Sequence, residues 1–151
     1  MTAPVLTPAR PASARTVIAR LDEDLAGLDR ARLLLRQGER LATTDPREAF
    51  ELVHRAALRG AGVLVQRANR ERRRRLPLNV WTALERLGGE AAERSAQMAP
   101  LVAERARLER MPDAVPDPAL LRRHLELTSR HLEQVAHLLV EQMPALAGAR
   151  G

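Results

Sequence analysis

Hydrophobic positions recur along this chain with the period of an α-helix, and polar residues and breakers divide the pattern into five segments. From Val17 to about Arg36 the apolar residues Ile18, Leu21, Leu25, Leu28 and Leu35 are set among Asp22, Glu23, Asp24, Asp29 and Arg30. That is the i, i+3, i+7 stripe of an amphipathic helix, which Gly38 and the polar run Thr43-Thr44-Asp45 are expected to close. The next start is the clearest in the chain: Asp45 as N-cap, Pro46 in the first helical position and Glu48 three residues after the cap. This second helix should run to about Asn69, with Phe50, Val53, Ala57, Ala61, Leu64 and Ala68 on its inner face. Gly60 and Gly62 fall in its middle and, with Ala56, Ala57 and Ala61, predict close approach of another helix.

Pro77 breaks the pattern, and Asn79 caps a short third helix carrying Val80, Trp81, Leu84 and Leu87, which Gly88-Gly89 ends. A fourth helix from Glu90 to about Arg110 presents Ala92, Ala96, Ala99, Val102, Ala103 and Ala106. This alanine face predicts a close-packed axis, and Pro100 predicts a kink or break just before it. Asp117-Pro118 repeats the Asp-Pro start, and the last helix runs to about Met143 on Leu121, Leu125, Thr128, Leu132, Val135 and Leu139. The expected fold is all-α, an antiparallel up-and-down bundle of four long helices plus one short helix. Residues 16–143 form the bundle, 1–15 a flexible N-terminal tail and 144–151 a frayed C-terminal tail.

Composition sharpens this picture in two ways. Aromatic residues are reduced to Phe50 and Trp81, so the core must be built of Leu, Val and Ala, and a strand-based core has little to draw on. Cysteine is absent, which excludes disulfides and thiolate metal sites and fits a cytoplasmic protein. The N-terminal tail has three prolines among its first eleven residues and no apolar stretch resembling a signal peptide. No window approaches the roughly 18 apolar residues of a membrane span, so no membrane partner is expected.

All 25 basic residues are arginine, and the formal net charge is +6. Exclusive arginine beside abundant alanine reads as a GC-rich coding bias, so the residue type itself is no evidence for nucleic acid. Its distribution is more informative. Six of the nine residues Arg67 to Arg75 are arginine and one is glutamate, so nearly all of the excess charge lies in that run. The run is open to two readings: a solvated helix end, or an anion site in which Arg70, Arg72, Arg73, Arg74 and Arg75 hold phosphate. Aromatic interleaving for base stacking is missing, so contact with RNA would be to the backbone and independent of sequence.

Catalytic and metal constellations find little support. A di-iron bundle needs a Glu-x-x-His pair on two helices, and only Glu51-Leu-Val-His54 is present. None of the four histidines stands at i, i+4 to another, as a zinc-protease helix requires. His124 and His131, seven apart, share a helix face as polar residues beside a buried seam or in a subunit interface. Ser13, Ser95 and Ser129 lie in no nucleophile setting, and Gly88-Gly89 lacks the Lys and Ser/Thr of a phosphate loop. No metal and no cofactor is expected.

The segment Arg55-Ala-Ala-Leu-Arg-Gly-Ala-Gly-Val-Leu-Val65, the arginine run, Val80-Trp81-Thr82-Ala83-Leu84 and the helix start Pro116-Asp-Pro-Ala-Leu-Leu-Arg122 together resemble an actinobacterial branch of the HEPN domains. The resemblance spans about residues 16 to 142 and implies a bundle of four or five helices, commonly paired as a homodimer. HEPN ribonucleases carry an Arg-x(4 to 6)-His motif, for which this chain offers Arg47-x6-His54 and Arg130-x6-His137. The polar residue that often follows the family's arginine is replaced by Glu48 and His131, and the branch resembled largely lacks the catalytic pair. The expectation is therefore a non-catalytic homodimer binding RNA or a nucleotide through the arginine run. The alternatives are a metal-independent ribonuclease using Arg130 and His137, and a toxin-antitoxin-like module that binds a protein partner without nucleic acid.

Overall fold

In a computed structural model describing residues 13–141, the periodic segments form five helices: α1 (Ala14–Leu41), α2 (Pro46–Asn69), α3 (Val80–Leu87), α4 (Gly89–Arg110) and α5 (Pro118–Val140). There is no strand among the described residues. Of the tail expected over 1–15, Ser13 caps α1 and Ala14 and Arg15 lie in its first turn, because the Ser13 hydroxyl accepts the Thr16 N–H and starts the helix earlier. Residues 1–12, the tail expected over 144–151 and the expected end of the last helix at Met143 lie outside the described residues.

The capping chemistry read from the sequence sets the helix starts. The Asp45 carboxylate accepts the Glu48 backbone N–H at 3.2 Å, Asp117 accepts that of Ala119 at 2.8 Å, and Asn79 accepts those of Trp81 and Thr82 at 3.0 and 3.2 Å. Each satisfies a donor that a helix N-terminus otherwise leaves open. Ser13 does the same for α1 through the Thr16 N–H. Gly88 and Gly89 both have positive φ, 71° and 55°, which lets α4 begin directly where α3 ends.

The four long helices run alternately up and down. Contacts between Gly38 and Val53, and between Gly27 and Val63, show α1 antiparallel to α2. Arg47 against the Leu108 carbonyl and Glu51 against Arg105 set α4 antiparallel to α2, and Gly60 against Leu132 with Arg67 donating to the Leu138 carbonyl sets α5 parallel to α2. The central helix is therefore α2, which touches every other helix. Its buried face carries Phe50, Val53, Ala57, Ala61 and Leu64 as expected, while Ala68 is only half-buried.

Four further expectations are corrected. Gly38 does not close α1. It is buried inside the helix, where a Cβ would lie 2.6 Å from Val53 Cγ2, so the glycine serves the approach of α1 to α2 rather than termination. Of the two mid-α2 glycines only Gly60 admits a neighbour: a Cβ there would lie 2.5 Å from Leu132 Cδ2 on α5, whereas at Gly62 it would meet nothing within 4 Å. Pro100 does not break α4, which continues to Arg110. The proline sits on the exposed side, and Met98 and Leu101, both fully buried, anchor the helix on either side of it.

The alanine face of α4 is not its inner face. Ala96, Ala99 and Ala103 are exposed, and the buried stripe is Arg94, Ser95, Met98, Leu101, Glu104 and Leu108. Its polar members are tolerated because each has a partner. Arg94 donates to the Gln134 amide oxygen on α5, and Ser95 donates to the Trp81 carbonyl at 2.9 Å. Glu104 pairs with Arg107 and accepts the Asp117 N–H at 2.9 Å.

Candidate anion-binding loop

The arginine run leaves the end of α2 and returns to the core at Leu76, which is buried. Two anchors hold its ends. The Arg70 guanidinium reaches back to α1, donating to Asp24 at 2.9 Å and to Glu23 at 3.2 Å, while Gln66 donates to the other Glu23 oxygen at 2.8 Å. At the far end the Leu76 N–H donates to the Asn69 side-chain oxygen at 2.8 Å. Between them the Glu71 and Arg72 N–H groups close onto the Ala68 and Asn69 carbonyls at 3.2 and 3.3 Å, finishing the helix in a turn.

This arrangement divides the five arginines read as one anion site. Arg70 is a structural brace: its charge is matched by Asp24, a carboxylate whose side chain is 1% exposed, and it is withdrawn from the anion set. Arg72, Arg73, Arg74 and Arg75 are all exposed, and none forms an ion pair among the described residues. The one side-chain bond among them is a long one, from Arg72 Nε to the Arg74 carbonyl at 3.4 Å. Four guanidiniums thus project from a short bow pinned at both feet. Beside it lies an open groove of about 570 Å³ bounded by Arg70, Arg75, Leu78, Gly62 and Val65.

Trp81 sits on α3 and bridges the two apolar clusters of the core, with its indole N–H buried and unpartnered. The ring is half-buried, packed on the core clusters.

A family model, the SAV_6107-like HEPN model, matches residues 41–136, from the last residue of α1 through most of α5. The chain belongs to this HEPN family. No curated protein and no solved structure matches it significantly.

The two Arg–His pairs of this HEPN chain are placed differently. Arg47 lies at the start of α2 and donates to three carbonyls at and just beyond the C-terminal end of α4, those of Leu108, the C-cap Met111 and the loop residue Ala114, at 2.6, 3.0 and 2.8 Å. It caps a helix end, and its partner in the motif, His54, is buried in the core. Arg130 and His137 are both exposed on α5. His137 lies 3.3 Å from Glu141 in a groove that it shares with Glu90 and Glu133 and that Arg130 does not line. An anionic phosphate approaching His137 would meet three carboxylates.

The Glu51-x-x-His54 element is equally occupied. Arg105 donates to both Glu51 oxygens at 2.9 and 3.1 Å and Arg55 adds a third contact at 3.2 Å. The Arg105 bonds hold the Glu51 carboxyl below the usual carboxylate range. Among the described residues no group of His, Asp and Glu is arranged to hold a metal ion, and no helix is long and apolar enough to cross a membrane.

Sequence spacing did place His124 and His131 on one face, but not in the centre of the bundle. His124 and His131 are wholly buried. His124 stacks edge-on to Phe50 and His54 with ring centres 5.0 and 6.0 Å away, and shares a 2.9 Å hydrogen bond with Thr128. Burial drives all three rings toward the neutral form, His54 and His124 to about 4 and His131 to about 3. Arg105 beside His54 and Arg94 beside His131 push in the same direction. Both His131 nitrogens and His124 Nε2 lack a hydrogen-bond partner. A polar residue among leucines is a weak sign of such burial, because its spacing fits a stripe edge and a stripe centre alike.

Proposed function

We propose that this HEPN chain is a non-catalytic, homodimeric binding protein that holds RNA or a nucleotide by its phosphates through Arg72, Arg73, Arg74 and Arg75. The observation that carries the reading is four consecutive exposed guanidiniums, without a carboxylate partner among the described residues, on a loop fixed at Arg70 and Asn69. Guanidinium groups suit phosphate because their planar forks donate two parallel hydrogen bonds. A fixed loop also reduces the ordering cost of binding. With Trp81 half-buried against the core and no aromatic residue in the loop, contact is to the backbone and independent of base sequence.

Support for the absence of catalysis comes from the same geometry. Arg47 and His54 are engaged in structure, and His137 stands among Glu90, Glu133 and Glu141. The test is the ultraviolet spectrum of protein purified without nuclease. One tryptophan and no tyrosine make the chain a weak absorber, so bound nucleic acid would dominate at 260 nm. A 260 nm excess that survives in the wild type and disappears on replacing Arg72–Arg75 by alanine is expected. A plain protein spectrum, together with no change in anisotropy of a labelled single-stranded RNA, would contradict the proposal.

A further inference from the structure

Three imidazoles are buried in the seam between α2 and α5. His54 comes from α2 and His124 and His131 from α5, the latter two exposed by 1% or less. The His54 and His124 rings stand steeply inclined with centres 6.0 Å apart, and Phe50 lies 5.0 Å from His124. His131 lies against the bare backbone of Gly60, where a Cβ would come 3.0 Å from its Nε2. Thr128 takes one nitrogen of His124, while the other and both of His131 bond to nothing among the described residues. Such groups are costly to bury, and neither the arginine loop nor the helix caps use them.

What faces the three rings decides what happens when they are charged. His54 meets the Arg105 guanidinium from α4, His131 meets the Arg94 guanidinium from the same helix, and His124 meets His54. Glu51, on α2 itself, is the one carboxylate acting on any of them, and its oxygens are already taken by Arg105 and Arg55. The Ala57 carbonyl of α2 favours a charged His131 less than burial and Arg94 oppose it. A proton on any ring therefore enters the core beside a positive group or a second ring that competes for it, with no uncommitted counter-charge to receive it.

The pairing of α1 with α2 is held differently. Arg70 ties it to Asp24 and Glu23, and Gln66 ties it again to Glu23. α5 is held to α2 chiefly by apolar contacts and the imidazoles, with a long hydrogen bond of 3.4 Å from Arg67 to the Leu138 carbonyl. We propose that this seam is an acid-opened latch: protons entering the imidazoles part α5 from α2, while α1 and α2 remain paired. The open form takes up protons that the closed seam refuses, so opening becomes more favourable as pH falls. The device needs no ligand and stands apart from the binding proposed for the arginine loop.

The test is hydrogen exchange of the full chain at pH 7 and pH 5, read peptide by peptide by mass spectrometry and corrected for the intrinsic dependence of exchange on pH. An unfolded histidine titrates near about 6.5 and the closed rings at about 4, 4 and 3. Each ring therefore raises the opening equilibrium about 20-fold between the two conditions, and three together about 10⁴-fold. Glu51 and Glu104, held below the usual carboxylate range, stay charged across this window. Amides of α5 from His124 to Val135 are expected to exchange faster at pH 5 by about 10³-fold or more. At pH 5 they are expected to outrun those of α1 from Leu21 to Leu35 by about ten-fold or more. His131→Leu should cut the rise about 20-fold, and His137→Gln, exposed on the same helix, should leave it within about two-fold. Should His131→Leu fail to fold, the wild-type profiles decide alone. Equal rates in α1 and α5 at pH 5 would mean that the whole bundle unfolds and would overturn the latch, as would an α5 rate that does not change between the two conditions.

Discussion

Individual residues in this bundle divide sharply by what surrounds them, and Arg70 and Arg72 show it two positions apart. Arg70 neutralises a buried carboxylate, so Arg70→Ala strands Asp24, one of whose oxygens already lacks a partner. Breaking such a pair should lower stability by about 3 kcal/mol, and removing Asp24 as well should recover part of the loss. Arg72→Ala, on the exposed bow, should stay within about 0.5 kcal/mol. Urea denaturation of the three variants checks this, and equal effects at Arg70 and Arg72 would contradict the division into brace and ligand. The glycines divide likewise. Gly60→Ala drives a methyl into Leu132 and His131 and should cost about 1–3 kcal/mol. Gly62→Ala, measured at concentrations where the chain is monomeric, should gain up to about 1 kcal/mol from helix propensity.

At the scale of the elements, the α2–α5 seam makes stability depend on pH. His54, His124 and His131 are held neutral in the fold, with folded values of about 4, 4 and 3, below the roughly 6.5 of an unfolded histidine. Their contribution is complete above that unfolded value and is lost as pH falls through the window toward about 4, because the unfolded chain takes up protons that the fold refuses. Each ring steepens the loss by up to about 1.4 kcal/mol per pH unit, so three together approach about 4 kcal/mol per unit. Glu51 and Glu104, held low chiefly by Arg105 and Arg107, add to the loss only as pH passes below the ordinary carboxylate range. Unfolding free energies between pH 7.5 and 4.5 should therefore fall steeply, and His131→Leu should flatten the curve. A stability that stays level to pH 5 would contradict the burial of these rings.

The elements also show what the sequence disclosed. The Asp-Pro starts at Asp45 and Asp117 and the Asn79 cap were legible because capping is local chemistry, completed within three residues. The inner face of α4 was not, because hydrophobic periodicity treats Arg94 and Glu104 as surface. Their partners make burial tolerable: Gln134 on α5 for Arg94, and for Glu104 the Asp117 N–H together with Arg107 one turn along the same helix. Gly38 was ambiguous for the same reason: a stop and a close approach look alike until Val53 is placed beside it. In the arginine loop the sequence displayed the charge but not its division, since nothing local tells that Arg70 is matched by Asp24 and Glu23 on another helix.

For the whole molecule, a bundle with α2 at its centre carries, beyond the end of that helix, four guanidiniums without an ion pair among the described residues, which we propose meet phosphate. The decisive measurement is the salt dependence of RNA binding by the wild type and by the protein with Arg72, Arg73, Arg74 and Arg75 replaced by alanine, followed by anisotropy of a labelled single strand. Each phosphate neutralised contributes about 0.7 to the slope of log affinity against log salt for single strands. Four contacts therefore predict a wild-type slope near about −3, equal for strands of different sequence, and a variant slope close to zero at much weaker affinity. Equal slopes in the two proteins would place any binding elsewhere on the molecule and contradict the account.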